Sequence, residues 1–144
     1  MLSREAGMAG KTKLVRDDVY EELAAAYQCI LINILNDVLK EQGITAQAKR
    51  RKICESLAFS LGNFNDQCGF RTNEKKVYPL LCFSETFLNL DTEVGKLGKV
   101  FAPSDSFAFH EYATGDIACF FDENKESLGD IQVEIVEEKP DVTE

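Results

Sequence analysis

From Val19 to Leu39, apolar residues return every three or four positions. Val19, Leu23, Tyr27, Ile30, Ile34 and Val38 form one stripe, Leu31, Leu35 and Leu39 its neighbour, and Ile32 lies further round. This period predicts one continuous helix that ends near Gln42. Its apolar arc spans roughly 200°, about twice what packing on one side requires. The strip left for solvent runs past Glu22, Ala25, Asn33, Asn36 and Lys40. Asp17 and Asp18 offer a capping carboxylate, with Glu21 three residues after Asp18 as in a capping box. Gly43 followed by Ile44 suits a left-handed C-terminal cap. A second helix is expected from Thr45 to Leu61, with Ile53, Leu57 and Leu61 inward beside Cys54 and Ala58, and with Gly62 as its stop.

Beyond Leu61 the period shortens. Asn63 to Asn73 is rich in turn residues. Lys76 to Phe83 reads as a strand, placed at a sheet edge because Pro79 has no N–H to donate. Phe87 to Leu90 is short and apolar, and Thr92 to Lys99 reads as a loop with Gly95 and Gly98. Ser106 to Asp122 holds two apolar runs around Ala113-Thr114-Gly115, which reads as a three-residue hairpin loop. Pairing Tyr112 with Asp116 would put Phe107, Phe109, Ile117, Cys119 and Phe121 on one face. Ala108, His110, Tyr112, Ala118 and Phe120 would fall on the other. Asp130 to Glu137 alternates Ile131, Val133 and Ile135 with polar residues, as a half-buried strand does. The expected fold is therefore α+β: two N-terminal helices packed on an antiparallel sheet of four or five strands. The expected organisation is a lead-in over 1–14, one domain over 15–137 and an acidic tail over 138–144.

Composition narrows the class. A chain of 144 residues that is 44% apolar, with ten Phe, can build a packed core without staples. No run approaches about 18 consecutive apolar residues, so no membrane span is expected, and no secretory leader is read at the N-terminus. The net charge of −9 is lopsided: residues 1–53 carry nine Lys/Arg against seven Asp/Glu, while 54–144 carry seven against eighteen. Such a field repels phosphate backbones and anionic lipid, and steers basic proteins inward. The expectation is a protein partner of basic character, with no nucleic acid and no membrane. In the run Lys49-Arg50-Arg51-Lys52 four successive helical side chains point in four directions, so it is expected to be a solvated turn.

Cys29, Cys54, Cys68, Cys82 and Cys119 are odd in number, widely spaced and free of any Cys-x-x-Cys pair, and His110 is the single imidazole. That set implies no metal and no cofactor, and it suits a reducing, cytoplasmic setting. Four of these thiols lie in apolar runs and are expected to be buried; Cys68 is expected to be exposed. Gly10-Lys11-Thr12 mimics the end of a phosphate-binding loop, but Glu5 stands where that loop needs its first glycine. His110, Cys82 and Tyr112 are the candidates for chemistry, a Cys–His pair being the most economical catalyst. The preferred expectation is a small non-catalytic protein-binding module, of the kind found in inhibitors, immunity-like proteins and adaptors. Tyr78, Tyr112, Asp116 and Phe120 would meet the partner, and Leu31, Ile32, Leu35 and Leu39 would form a homodimer interface. The rival expectation is a small enzyme or small-molecule binder with a pocket around His110, Tyr112 and Cys82.

Overall fold

A computed structural model of the chain describes residues 11–136. Three helices carry the architecture: α1 (Val19–Glu41), α2 (Gln47–Gln67) and α3 (Phe109–Phe120). Five short strands accompany them: β1 (Lys13–Val15), β2 (Phe70–Thr72), β3 (Lys75–Val77), β4 (Phe83–Ser84) and β5 (Lys99–Phe101). β5 is central in a three-stranded sheet, parallel to β1 and antiparallel to β4, while β2 and β3 form a separate antiparallel hairpin. The fold is α+β, but the third helix near the C-terminal end and the three-stranded sheet replace the expected antiparallel sheet of four or five strands.

The first helix forms where its period placed it. Asp17, rather than Asp18, caps it: its Oδ1 accepts the Val19 N–H at 3.1 Å, and Asp18 makes no side-chain cap. At the other end Gly43 has φ +90°, its N–H reaches the Lys40 carbonyl at 3.0 Å, and the Ile44 N–H reaches the Leu39 carbonyl at 2.9 Å. That pair of bonds is the Schellman cap that Gly43-Ile44 implied. The buried row of α1 is Tyr20, Ala24, Gln28, Ile32 and Asn36, so Asn36 faces inward rather than to solvent. By length and composition α1 is long and apolar enough to cross a membrane, although no run within it approaches 18 consecutive apolar residues. Here that buried row packs against the rest of its own chain.

The second helix starts two residues later than expected and runs through Gly62 to Gln67. Gly62 does not end it, because its role is to admit α3. A Cβ there would lie 2.7 Å from the His110 nitrogen and 2.9 Å from its Cα. In the run 49–52, Arg50 alone is buried, at 5% exposure. Its Nε donates to Asn36 Oδ1 at 2.8 Å, one terminal nitrogen donates to the Ile44 and Thr45 carbonyls, and the other meets Glu126 Oε2 at 2.7 Å. Glu126 also accepts from Asn36 Nδ2 at 2.7 Å and pairs with Lys40 at 3.0 Å. The basic run is thus not simply a solvated turn: one of its four cations is an internal tie.

The expected hairpin over 106–122 is a helix. Phe109, Ala113, Ile117 and Phe120 fall on one side at spacings of four, four and three, and all four are buried. Gly115 is exposed with open space around it, so nothing there requires a turn. Apolar residues on both supposed strand faces were the projection of a helical stripe onto a period of two. Cys119 consequently points outward and is exposed, like Cys68, while Cys29 and Cys54 are buried. The strand expected over Lys76–Phe83 is divided, with β3 ending before Pro79 and β4 beginning after it. Ile131 to Val136 carries no strand pairing, and Val133 and Ile135 are 64% and 90% exposed. Lys13 and Leu14 belong to β1, so the expected lead-in enters the sheet; positions 1–10 and the expected tail lie outside the described residues.

Two adjoining clusters make the core. Ile32, Cys54, Ala58, Ala113, Ile117 and Phe120 meet where the three helices converge. Tyr20, Ala24, Phe101 and Phe109 join α1 and α3 to the sheet, with Phe83 and Phe107 packed around them. The Tyr20 hydroxyl donates to the Leu81 carbonyl at 2.7 Å, satisfying the one polar atom of a ring with no exposed surface.

Burial pushes the Glu126 carboxyl up, but hydrogen bonds from Asn36, Lys40 and Arg50 and the Arg50 charge outweigh it and bring the pKa from 4.5 down to about 2. The folded state therefore binds fewer protons than the unfolded state between those values, and the stabilisation is complete above pH 4.5 and lost as pH falls to 2. Glu126→Gln, which leaves Arg50 without its counter-ion, is expected to cost about 3 kcal/mol at neutral pH. Thermal unfolding of both proteins across acid pH should show the gap narrowing below pH 4.5 and closing near pH 2.

Candidate functional site

Helix α3 begins with a deficit. Its N-cap residue is Ala108, which has no side-chain oxygen to receive the free N–H groups of the first turn. The missing acceptor comes from α2, one turn beyond the Gly62 crossing. Asp66 Oδ1 accepts the Phe109 N–H at 2.8 Å, and Oδ2 accepts the His110 N–H at 2.8 Å. The same Oδ2 lies 2.6 Å from His110 Nδ1. A carboxylate oxygen can only accept, so Nδ1 carries the proton and Nε2 of the neutral ring keeps its lone pair. The two side chains are 10% and 20% exposed, and Phe59 meets the imidazole edge-on at 6.0 Å.

This joint forms part of the wall of an open cleft of about 420 Å³. Around it stand Asn65 and Asp66 of α2, Pro79 to Leu81, Pro103 to Asp105, and Phe107 to Glu111 at the start of α3. Arg16 closes one side, with its Nε donating to the Pro103 carbonyl at 2.6 Å and its guanidinium 3.5 Å from Asp105. Next to the cleft, Glu21 accepts from Ser104 Oγ at 3.2 Å and from the Tyr112 hydroxyl at 3.4 Å. The Glu21 charge, with a little burial, pushes the Tyr112 hydroxyl pKa up and keeps it protonated. The Tyr112 ring stacks on Phe107 with centroids 5.0 Å apart. The arrangement offers carboxylates, one imidazole lone pair and an aromatic ledge.

The expected site residues are dispersed. His110 lines the cleft and Tyr112 stands beside it, but Cys82 is half-buried outside the lining, with its thiol pKa raised by burial. No Cys82–His110 pair is assembled. Tyr78 is 65% exposed and lies over Gly69, where a Cβ would come within 2.7 Å of its ring, with Lys76 Nζ 5.5 Å from the ring centre. Asp116 is half-buried, accepts from Gln28 at 2.8 Å, and has its pKa raised by burial against that bond. Phe120 is a core residue at 1% exposure, out of reach of a partner. Of the four interface residues, Ile32 is buried in the core, and Leu35 and Leu39 pack partly buried against it. Leu31, and Leu35 on its other side, wall an apolar slot with Leu57 and Leu61 of α2.

Asp66, Glu21 and Arg16 were not anticipated. The available signal was the spacing of Gly62 and Asp66, which puts a gap and a carboxylate one turn apart on one helix face. No protein-family model, curated protein or solved structure matches this chain. Among the described residues, no group of three or more His, Cys, Asp and Glu is placed to hold a metal ion.

Asp66→Ala removes the acceptor for two helix N–H groups and for the imidazole. It is expected to lower stability by about 2 kcal/mol, the upper range for loss of a helix cap. Amide hydrogen exchange should show the loss of protection concentrated at the first turn of α3.

Proposed function

We propose that the protein is a non-catalytic binding module whose cleft beside Asp66 and His110 receives a cationic side chain from a basic protein partner. The observation that carries this reading is the balance of charge at the cleft. Asp66, Asp105 and Glu111 line it and Glu21 stands beside it, whereas the one lining guanidinium, Arg16, is turned onto Pro103 and Asp105. A lysine or arginine entering there finds carboxylates for its head. The Phe107–Tyr112 stack offers a ledge for its methylene stem. The chain's charge of −9 adds long-range attraction, which speeds encounter at low salt.

The test is a titration with a fluorescent arginine-rich peptide. Asp105→Lys with Glu111→Lys is expected to weaken binding at least about tenfold at low salt and to flatten its salt dependence. Asp130→Lys with Glu134→Lys makes the same charge change outside the cleft, and equal losses in the two double variants would refute the cleft as the binding site.

One observation favours a second reading. His110 helps to line the cleft, and with Nδ1 bonded to Asp66 at 2.6 Å the neutral ring keeps Nε2 as a base, the arrangement a small hydrolytic or acyl-transfer site uses to remove a proton. Its mark would be hydrolysis of p-nitrophenyl acetate above that of free imidazole, lost in His110→Gln with the melting temperature retained. A variant that loses stability alone would assign the imidazole to the α2–α3 joint.

A further inference from the structure

Helices α1 and α2 carry an apolar face away from the three-helix core. Leu31 and Leu35 on one side and Leu57 and Leu61 on the other wall a slot floored by Ile32 and Ala58. Ile34 and Val38 stand beside it at 53% and 44% exposure, and Leu57 and Leu61 are exposed at 40% and 37%. Each helix adds one continuous stripe. On α1 it runs Ile30, Ile34, Val38 and then Glu41; on α2 it runs Lys49, Ile53, Leu57 and Leu61.

We propose that this face is the interface of a two-fold homodimer in which each α1 lies over the partner copy's α2. Two features of this face select a second copy. Its size is adequate: two helices about 30–35 Å long and about 10 Å across approach the ~800 Å² per partner of a standard interface. Its charges are self-complementary. The α1 stripe ends on Glu41, with Asp37 beside Val38, while the α2 stripe begins on Lys49. All three are exposed, and none makes an ion pair with another described residue.

The charges also choose the axis. The α1–α2 hairpin is antiparallel, with Ile32 against Cys54 and Asn36 against Arg50, so Glu41 and Lys49 lie at the same end. A two-fold axis parallel to the helices puts α1 over the partner copy's α2 and brings Asp37 and Glu41 onto its Lys49. An axis across the helices would put α1 on α1 and bring the same acids onto Asp17, Asp18 and Glu22. The first arrangement closes a four-helix layer with isologous contacts. It uses neither the cleft nor His110, so it stands or falls independently of the binding proposed there.

Sedimentation equilibrium of the full chain tests this directly. The expected result is a dimer at about 100 µM that dissociates on dilution. Ile34→Glu, at an exposed position, should leave a monomer with unchanged helical ellipticity and a cooperative melt. Asp37→Lys with Glu41→Lys should weaken dimerisation about tenfold at low salt, and adding Lys49→Glu should restore it. A monomeric wild type at about 100 µM, an Ile34→Glu dimer, or a charge swap that Lys49→Glu does not rescue would each overturn the proposal. So would co-sedimentation with phosphatidylcholine vesicles in place of self-association.

Discussion

The meeting of α2 with α3 rests on one missing methyl group and one carboxylate. Gly62 lets the backbones approach to a distance that any side chain would forbid. That approach brings Asp66, a turn later, within hydrogen-bonding reach of a helix whose own N-cap residue can accept nothing. The two requirements are coupled. Without the close crossing the carboxylate falls short, and without the carboxylate the Phe109 and His110 N–H groups lose their acceptor. Phe109 and Ala113, which follow directly, are among the best buried residues of the molecule, so the core inherits its register from this joint.

A second polar tie closes the opposite end of the helical layer. Arg50 gathers the α1–α2 turn, the buried Asn36 and Glu126 around one guanidinium. Every charge there has a partner, and this is the condition under which buried ions are tolerable. The tie also holds backbone in place. Glu123 and Glu126 have φ near +49°, a region that costs a non-glycine residue about 1 kcal/mol, and the bonds to Glu126 fix the segment that leaves α3. Apolar packing and directed polar bonds divide the work: the first supplies the bulk of the stability, the second sets where the chain must go.

What was legible in the sequence was whatever depends on near neighbours. The course of α1 and its Gly43 cap follow from spacing within a few turns. On α2 the same spacing misplaced the inward face: Cys54 and Ala58 are buried, whereas Leu57 and Leu61, expected inward, are 40% and 37% exposed. The hidden features depend on residues far apart in the chain. Ala108 gives no local sign that a helix starts there, because its cap arrives from a position 42 residues earlier. The burial of Arg50 could not be inferred from a run of four cations, since its counter-ion is supplied 76 residues later. Ile131 to Val136 shows the reverse case. Its alternation suits a strand, yet a strand exists only where another backbone is available to pair with it. The cleft was partly anticipated through His110 and Tyr112, but Asp66, which orients the imidazole, sits in a stretch that reads as turns.

Asp66 divides its lone pairs between one ring nitrogen and two amides of α3. A donor docked on Nε2 would make the Nδ1 proton more acidic, tighten its bond to Oδ2 and draw that oxygen's electron density away from the His110 amide. A guest held by the imidazole would therefore be felt by the backbone of α3, as a looser amide at its second residue.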